Sequence, residues 1–222
     1  MKLTKETLAV IKNFSSINSN LLLKEGNKLS TITPGKNVMA EATISDEFPI
    51  DFGIYDVHEF LGVVSLFEDP DFTFSASNVQ IKKGSSSIKY TAASPSALTL
   101  PPEKKINFPA ADVTFTMPAT MLSTIIKTSS VLRAEDISVV SDGEKLKIVI
   151  TDKKNTSANS YELELDSTHA NVFKFNLKVD NLKLLNTDYK VEISKKKISR
   201  FTSTDDKLVY YVAVEQDSTY ED

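Results

Sequence analysis

Lysines at positions 2, 5 and 12 share one stripe of a helical wheel with Ala9 and Ser16, opposite Leu8, Ile11 and Phe14. Ammonium groups spaced by small side chains suit contact with a row of phosphates, which is charge recognition without a pocket. A second segment repeats the arrangement: Thr120, Ser123, Thr124, Lys127 and Ser130 lie opposite Met121, Leu122, Ile125 and Ile126, Arg133 follows, and residues 118–133 contain no acid. Formal charge is +2 over residues 1–18, +2 over 118–133 and +1 over 178–185, where Lys178 and Lys183 stand, so the rest of the chain carries −9 against a total of −4. The candidate phosphate contacts are therefore Lys2, Lys5, Lys12, Lys127, Arg133, Lys178 and Lys183. Lysines that merely solvate the exposed side of an amphipathic helix give the same pattern in any one segment. Three segments in agreement weigh against that, although a further candidate helix carries Asp56 and Glu59 and no Lys or Arg.

Catalytic signatures are missing by comparison. The chain has no phosphate-binding glycine loop, no H-E-x-x-H and no G-x-S-x-G, and its six glycines leave little with which to cradle a nucleotide. With no cysteine it has no thiol nucleophile, disulfide or cysteine zinc site, and no metal or cofactor is expected. His58 and His169 read as surface or cap residues, and the sequons at Asn13 and Asn155 as accidental. Catalytic residues are expected to be absent.

The elements that must position these side chains follow from hydrophobic period. The 222 residues are 41% apolar and 25% charged, an ordinary globular composition, and no apolar run is long enough to cross a bilayer. The first 14 residues are too charged for a signal peptide, so an intracellular chain is expected. Residues 4–18 read as an amphipathic helix with Thr4 as its cap, followed by a three-strand meander over 21–24, 28–33 and 38–44 with hairpin turns at 25–27 and 34–36. The order strand, helix, three strands then recurs: helices are expected near 57–67 and 118–132, and a short fourth over 179–185. Residues 92–109 contain Pro95, Pro101, Pro102 and Pro109, which exclude a central strand or helix interior. They divide the chain into domains 1–91 and 110–222 joined by a connector over 92–109. The last strand, 208–214, is apolar on both faces. A covering is expected for its outer row, from Leu98, Leu100 and Ile106 of the connector together with a partner's peptide, over Val209, Tyr210, Tyr211 and Val212; period two alone does not choose which of these face out.

The runs IKNFSSINSNLLLKEG (11–26), ATISDEFPIDFGIYDVHEFLGVVSLFED (42–69) and YYVAVEQDST (210–219) resemble the DNA polymerase sliding clamps of T-even-type bacteriophages, most strongly over the first 70 residues. The resemblance implies an α+β sliding-clamp fold of two similar domains, each of two βαβββ units, with helices lining the central hole of a head-to-tail trimeric ring. It implies sequence-independent encirclement of duplex DNA, no enzymatic activity, and as partners the replicative polymerase's tail peptide, an ATP-driven clamp loader and late-transcription factors, in the cytoplasm of the infected bacterial host. It also places the contact between copies at strands 86–90 and 160–165, with Ile88, Tyr90, Tyr161 and Leu163 as its apolar residues. The main alternative is a β-rich viral structural or assembly protein that does not encircle DNA; a hydrolase with converging carboxylates is a distant third.

Overall fold

The computed structural model describes residues 1–104 and 106–221, in two compact units, Met1–Lys105 and Ile106–Asp222. In the first unit, helix α1 (Lys5–Ile17) starts where the Thr4 hydroxyl accepts a hydrogen bond from the Thr7 amide at 3.2 Å. It ends at Asn18, whose backbone is extended and whose side chain donates to the carbonyls of Ile32 and Thr99, each at 3.0 Å. Val10, Ile11, Phe14 and Ile17 are buried, on a helix packed against the strand Val38–Phe48. The strands and second helix are β1 (Leu21–Leu23), β2 (Gly26–Ile32), β3 (Val38–Phe48), β4 (Phe52–Ile54), α2 (Val57–Ser65), β5 (Asp71–Phe74), β6 (Asn78–Lys83) and β7 (Ser86–Thr91).

Strands β2 and β3 form the expected hairpin, but β1 leaves the meander: it pairs antiparallel with β4, Leu21 opposite Ile54 and Leu23 opposite Phe52. All three leucines of β1 are buried, a strand apolar on both faces that the solvated edge of a hairpin cannot hold. Residues 25–27 are therefore a crossover between sheets, and Gly26, at φ +95°, turns the chain there. The other sheet of this unit is β5-β6-β7, to which the N-terminus adds a short partner: the Met1 ammonium donates to the Phe72 carbonyl at 2.8 Å and the Phe72 amide to the Met1 carbonyl at 2.7 Å.

The second unit contains β8 (Val113–Met117), α3 (Ala119–Leu132), β9 (Asp136–Asp142), β10 (Leu146–Thr151), β11 (Tyr161–Glu164), β12 (Val172–Lys178), β13 (Tyr189–Ser194), β14 (Ile198–Ser203), β15 (Leu208–Ala213) and β16 (Thr219–Tyr220). Its third and fourth repeats exchange strands, β8 pairing with β13 and β9 with β12, so that one sheet runs β11-β10-β9-β12-β16 and the other β8-β13-β14-β15. Alternate residues of the two sheets, among them Ile137, Val139, Ile148, Val191, Ile193 and Phe201, make the core.

The fourth helix expected over 179–185 is replaced by a single 3-10 turn, Val179–Asn181. No side chain caps its start, and Leu182 leaves helical geometry at ψ 53° to bury itself in the core. Seven residues are too few to repay helix nucleation unless an apolar stripe supports them. The last strand settles its own parity: Tyr210 and Val212 are fully buried, whereas Val209, Tyr211 and Ala213 are half-buried on the outer side.

Candidate nucleic-acid interface and docking surfaces

On α1, Lys5, Ala9, Lys12 and Ser16 are all exposed, as the wheel requires. Between α1 and α2 lies a concavity of about 1160 Å³, with Lys5, Ala9 and Lys12 on one wall and Leu61, Gly62 and Ser65 on the other. The α2 wall begins at Asp56, whose carboxylate accepts from the amides of His58 and Glu59 at 2.9 and 3.1 Å. It adds no Lys or Arg, and His58 is its one basic side chain.

On α3 the buried line is Leu122, Ile125 and Ser129, narrower than the sequence implies, because Ile126 is 39% and Val131 81% exposed. Thr120, Thr124, Lys127 and Ser130 share the exposed side, while the Ser123 hydroxyl donates to Asn186 at 3.1 Å. Arg133 ends the helix in the left-handed conformation at φ 53° and is exposed. The lysines thus fall into two groups. Lys5, Lys12 and Lys127 are open to solvent, whereas Lys2 is ion-paired to Asp69 and Lys178 lies 2.6 Å from Asp136. The hydrogen bond to Asp136 holds the Lys178 ammonium above its usual range. Lys183 is half-buried beyond the 3-10 turn.

Asp136 escaped sequence reasoning. Its carboxylate is fully buried, and around it Lys178 at 2.6 Å, Lys153 at 3.7 Å and the Lys153 amide at 3.3 Å supply the compensating charge and donors. Lys153 goes on to Asp217 at 2.8 Å, which accepts from Asn176, and Asn176 accepts from Ser138 at 2.7 Å. The bonds from Lys153 and then Asn176 hold the Asp217 carboxyl below its ordinary value. Lys178 is therefore part of the fold, a role its position in the sequence does not disclose.

Tyr210 and Val212, expected in the peptide groove, are core residues and line no surface. The outer row of β15 has a cover not foreseen from sequence: the Phe108 ring lies 6.4 Å from the Tyr211 ring, and the Arg200 guanidinium stacks on Phe108 at 4.4 Å. An aromatic beside Pro109 in a connector was the available signal. Leu98 and Leu100 are half-buried on the first unit, where the Ala93 amide donates to Gly53 at 2.9 Å and the Thr99 amide to Asn20 at 3.2 Å. Ile106, also half-buried, belongs to the second unit.

Ile88, Tyr90, Tyr161 and Leu163 are each half-buried on strands β7 and β11, which end their sheets among the described residues. The Tyr90 hydroxyl donates to the Asp56 carbonyl at 3.2 Å and to Glu59 at 3.3 Å; burial first, and then the Glu59 charge, push it up to about 12. His58 lies at the start of α2, and His169 accepts the Asn171 amide at Nδ1 and so donates from Nε2 to the Asp112 carbonyl, edge-on to Phe173.

The fold is that of the DNA clamps. The PCNA of A. fulgidus, solved with the C-terminal region of FEN-1, superposes with a TM-score of 0.70 at 15% identity over 96% of each chain. A DnaN sliding clamp from Bartonella birtlesii gives 0.71 at 11% identity, over 97% of this chain and 65% of that one.

Sequence narrows the class. Residues 4–100 match the model of the DNA polymerase processivity factor, and residues 114–216 that of the gp45 sliding clamp, C terminal. The chain is 33% identical to the sliding clamp of Escherichia phage RB69 and 34% to that of Enterobacteria phage T4, each over 100% of both chains. It is 31% identical to that of Vibrio phage KVP40, over 97% of this chain and 99% of the other. The chain belongs to the phage sliding clamps, a family of DNA polymerase processivity factors.

Proposed function

We propose that three copies of this chain close head to tail into a ring around duplex DNA and tether the replicative polymerase there, without catalysing a reaction. The observation that carries the reading is the open set Lys5, Lys12 and Lys127, set among Ala9, Ser16, Thr124 and Ser130. Short polar and apolar neighbours cannot follow a ligand outward, so such lysines touch phosphates loosely and read no base, which lets a ring slide. Arg133 and Lys183 extend the set. Lys2 and Lys178 are neutralised by ion pairs within the protein and contribute little to it.

The remaining parts follow in the same reading. Residues 1–91 and 110–222 are the clamp domains and 92–109 the connector. The copies meet at β7 and β11, so proline at Ile88 or Leu163, which breaks the edge strand's pairing with its own sheet, yields monomers. The polymerase tail docks on the outer row of the last strand, Val209 and Tyr211, beside Ile106 and Phe108, with Leu98 and Leu100 anchoring the connector. An ATP-driven loader opens the ring, late-transcription factors are further partners, and the setting is the cytoplasm of the infected bacterial host.

The test is topological. After loading onto a nicked circular plasmid, the protein stays with the circle through gel filtration and leaves when a restriction enzyme linearises it. Cross-linking traps a species of three chains. Equal retention on circular and linear DNA would refute encirclement.

A further inference from the structure

We infer that the contact between copies is keyed by charge, with Lys89 of one copy opposite Glu162 of the next, and that this pair enforces the head-to-tail order. The inference rests on the ring reading above and deepens it.

On β7, Ile88 and Tyr90 stand opposite Ile81 and Val79 of β6, both fully buried, and so lie on the core side of the sheet. Ser87 and Lys89 point to the other side and are exposed. On β11, Leu163 and Tyr161 stand opposite the buried Ile148 and Ile150 of β10, which leaves Glu162 and Glu164 outside. Each edge thus offers two half-covered apolar residues two positions apart, with one charged residue between them. When the apolar pairs are set against each other, Lys89 falls opposite Glu162 whether the strands run parallel or antiparallel.

The charges complete a ladder. Glu162 already lies 3.8 Å from Lys147 of β10, and Glu164 lies 3.1 Å from Lys145, yet both glutamate side chains are 58% exposed and keep acceptor capacity on the open side. Across its own sheet the register sets Lys89 beside uncharged residues on that face, Gln80 and then Thr73. Joining β7 to β11 gives alternating signs over three successive strands. Joining β7 to β7 brings lysine onto lysine, and joining β11 to β11 brings glutamates together, so both symmetric pairings are repelled. A head-to-tail contact is the one that closes a ring of more than two copies.

Sedimentation equilibrium over a range of salt tests this, since these exposed positions can change without loss of the fold. K89E raises the dissociation constant between copies roughly tenfold. K89Q and E162Q each raise it about threefold, the double variant K89Q/E162Q raises it no further than either alone, and its salt dependence is shallower than the parent's. Additive effects of the two neutral substitutions, or no effect of K89E while I88P still gives monomers, would overturn the charge key and leave the strand contact standing. If I88P assembles like the parent, β7 is not the contact and the ring reading fails at this point together with the key.

Discussion

Among the described residues the first unit presents two α-helices and the second presents one, although each contains two runs of at least three strands. Where the second unit lacks a helix, it has one 3-10 turn and the cluster of Asp136, Lys178, Lys153, Asp217 and Asn176. An amphipathic helix fills such a place with apolar surface, which tolerates exchange of one aliphatic residue for another. A cluster built on a buried carboxylate does not, because removing one partner strands the charge of the others. The difference also separates lysines that repeat position makes look alike. Lys12 on a helix is open, whereas Lys178, at the end of β12, is held by a buried carboxylate.

The largest expected effect tests whether the cluster holds the second unit together. Asp136→Asn leaves the half-buried Lys178 and Lys153 beside a neutral amide and should destabilise the protein by about 3 kcal/mol, the low end for a broken buried pair because both ammonium groups keep some solvent. In urea unfolding, the second unit should then melt ahead of the first. An unchanged midpoint would make the cluster incidental.

Next in size is the split between open and held lysines. Replacing Lys5, Lys12 and Lys127 with alanine should weaken retention on DNA and reduce the salt slope by roughly 0.9 per phosphate that is no longer neutralised, with melting unchanged. Lys178→Met should do the reverse, lowering the melting temperature with little change in slope. Equal slopes for the two variants would erase the distinction.

A smaller effect concerns the first unit's connector. A Cβ added at Gly53 would lie 2.3 Å from the Ala93 carbonyl oxygen, a backbone atom that can yield only if the strap moves. Gly53→Ala should cost about 1–3 kcal/mol and expose residues 92–100 to limited proteolysis. Resistance equal to the parent's would show that the strap is held by Asn18 and Asn20 alone.

The smallest effect is on pH. Burial pushes the Glu192 carboxyl up, but hydrogen bonds from Arg200 and Lys190 outweigh it and leave the group below its ordinary value, in the same direction as Asp217. Both groups lie in the second unit and have depressed folded values. Their contribution is complete above the unfolded carboxylate range of about 4 and is lost as pH falls through the folded values. The second unit should therefore lose stability in acid before the first, and Glu192→Gln should flatten that loss. Parallel acid profiles for the parent and the variant would contradict it.

Features that depend on local period and composition were legible in the residues alone. The helices at 5–17, 57–65 and 119–132, the hairpin of β2 and β3 and the basic outer stripe of α1 could all be read, because alternation and the 3.6 repeat are imposed by residues close together in the chain. Four features emerged only once the chain was folded: the pairing of β1 with β4, the loss of the fourth helix, the inward parity of Tyr210 and Val212, and the capture of Lys178 by Asp136. Three of them turn on something distant in sequence: Ile54 for Leu21, Asp136 for Lys178, and for the last strand the core that its alternate residues enter. The fourth, the missing helix, turns on the pull of that same core on Leu182. Period two fixes that neighbours point to opposite faces but not which face is buried, and the charge of a lysine is the same whether it meets a phosphate outside or a carboxylate within.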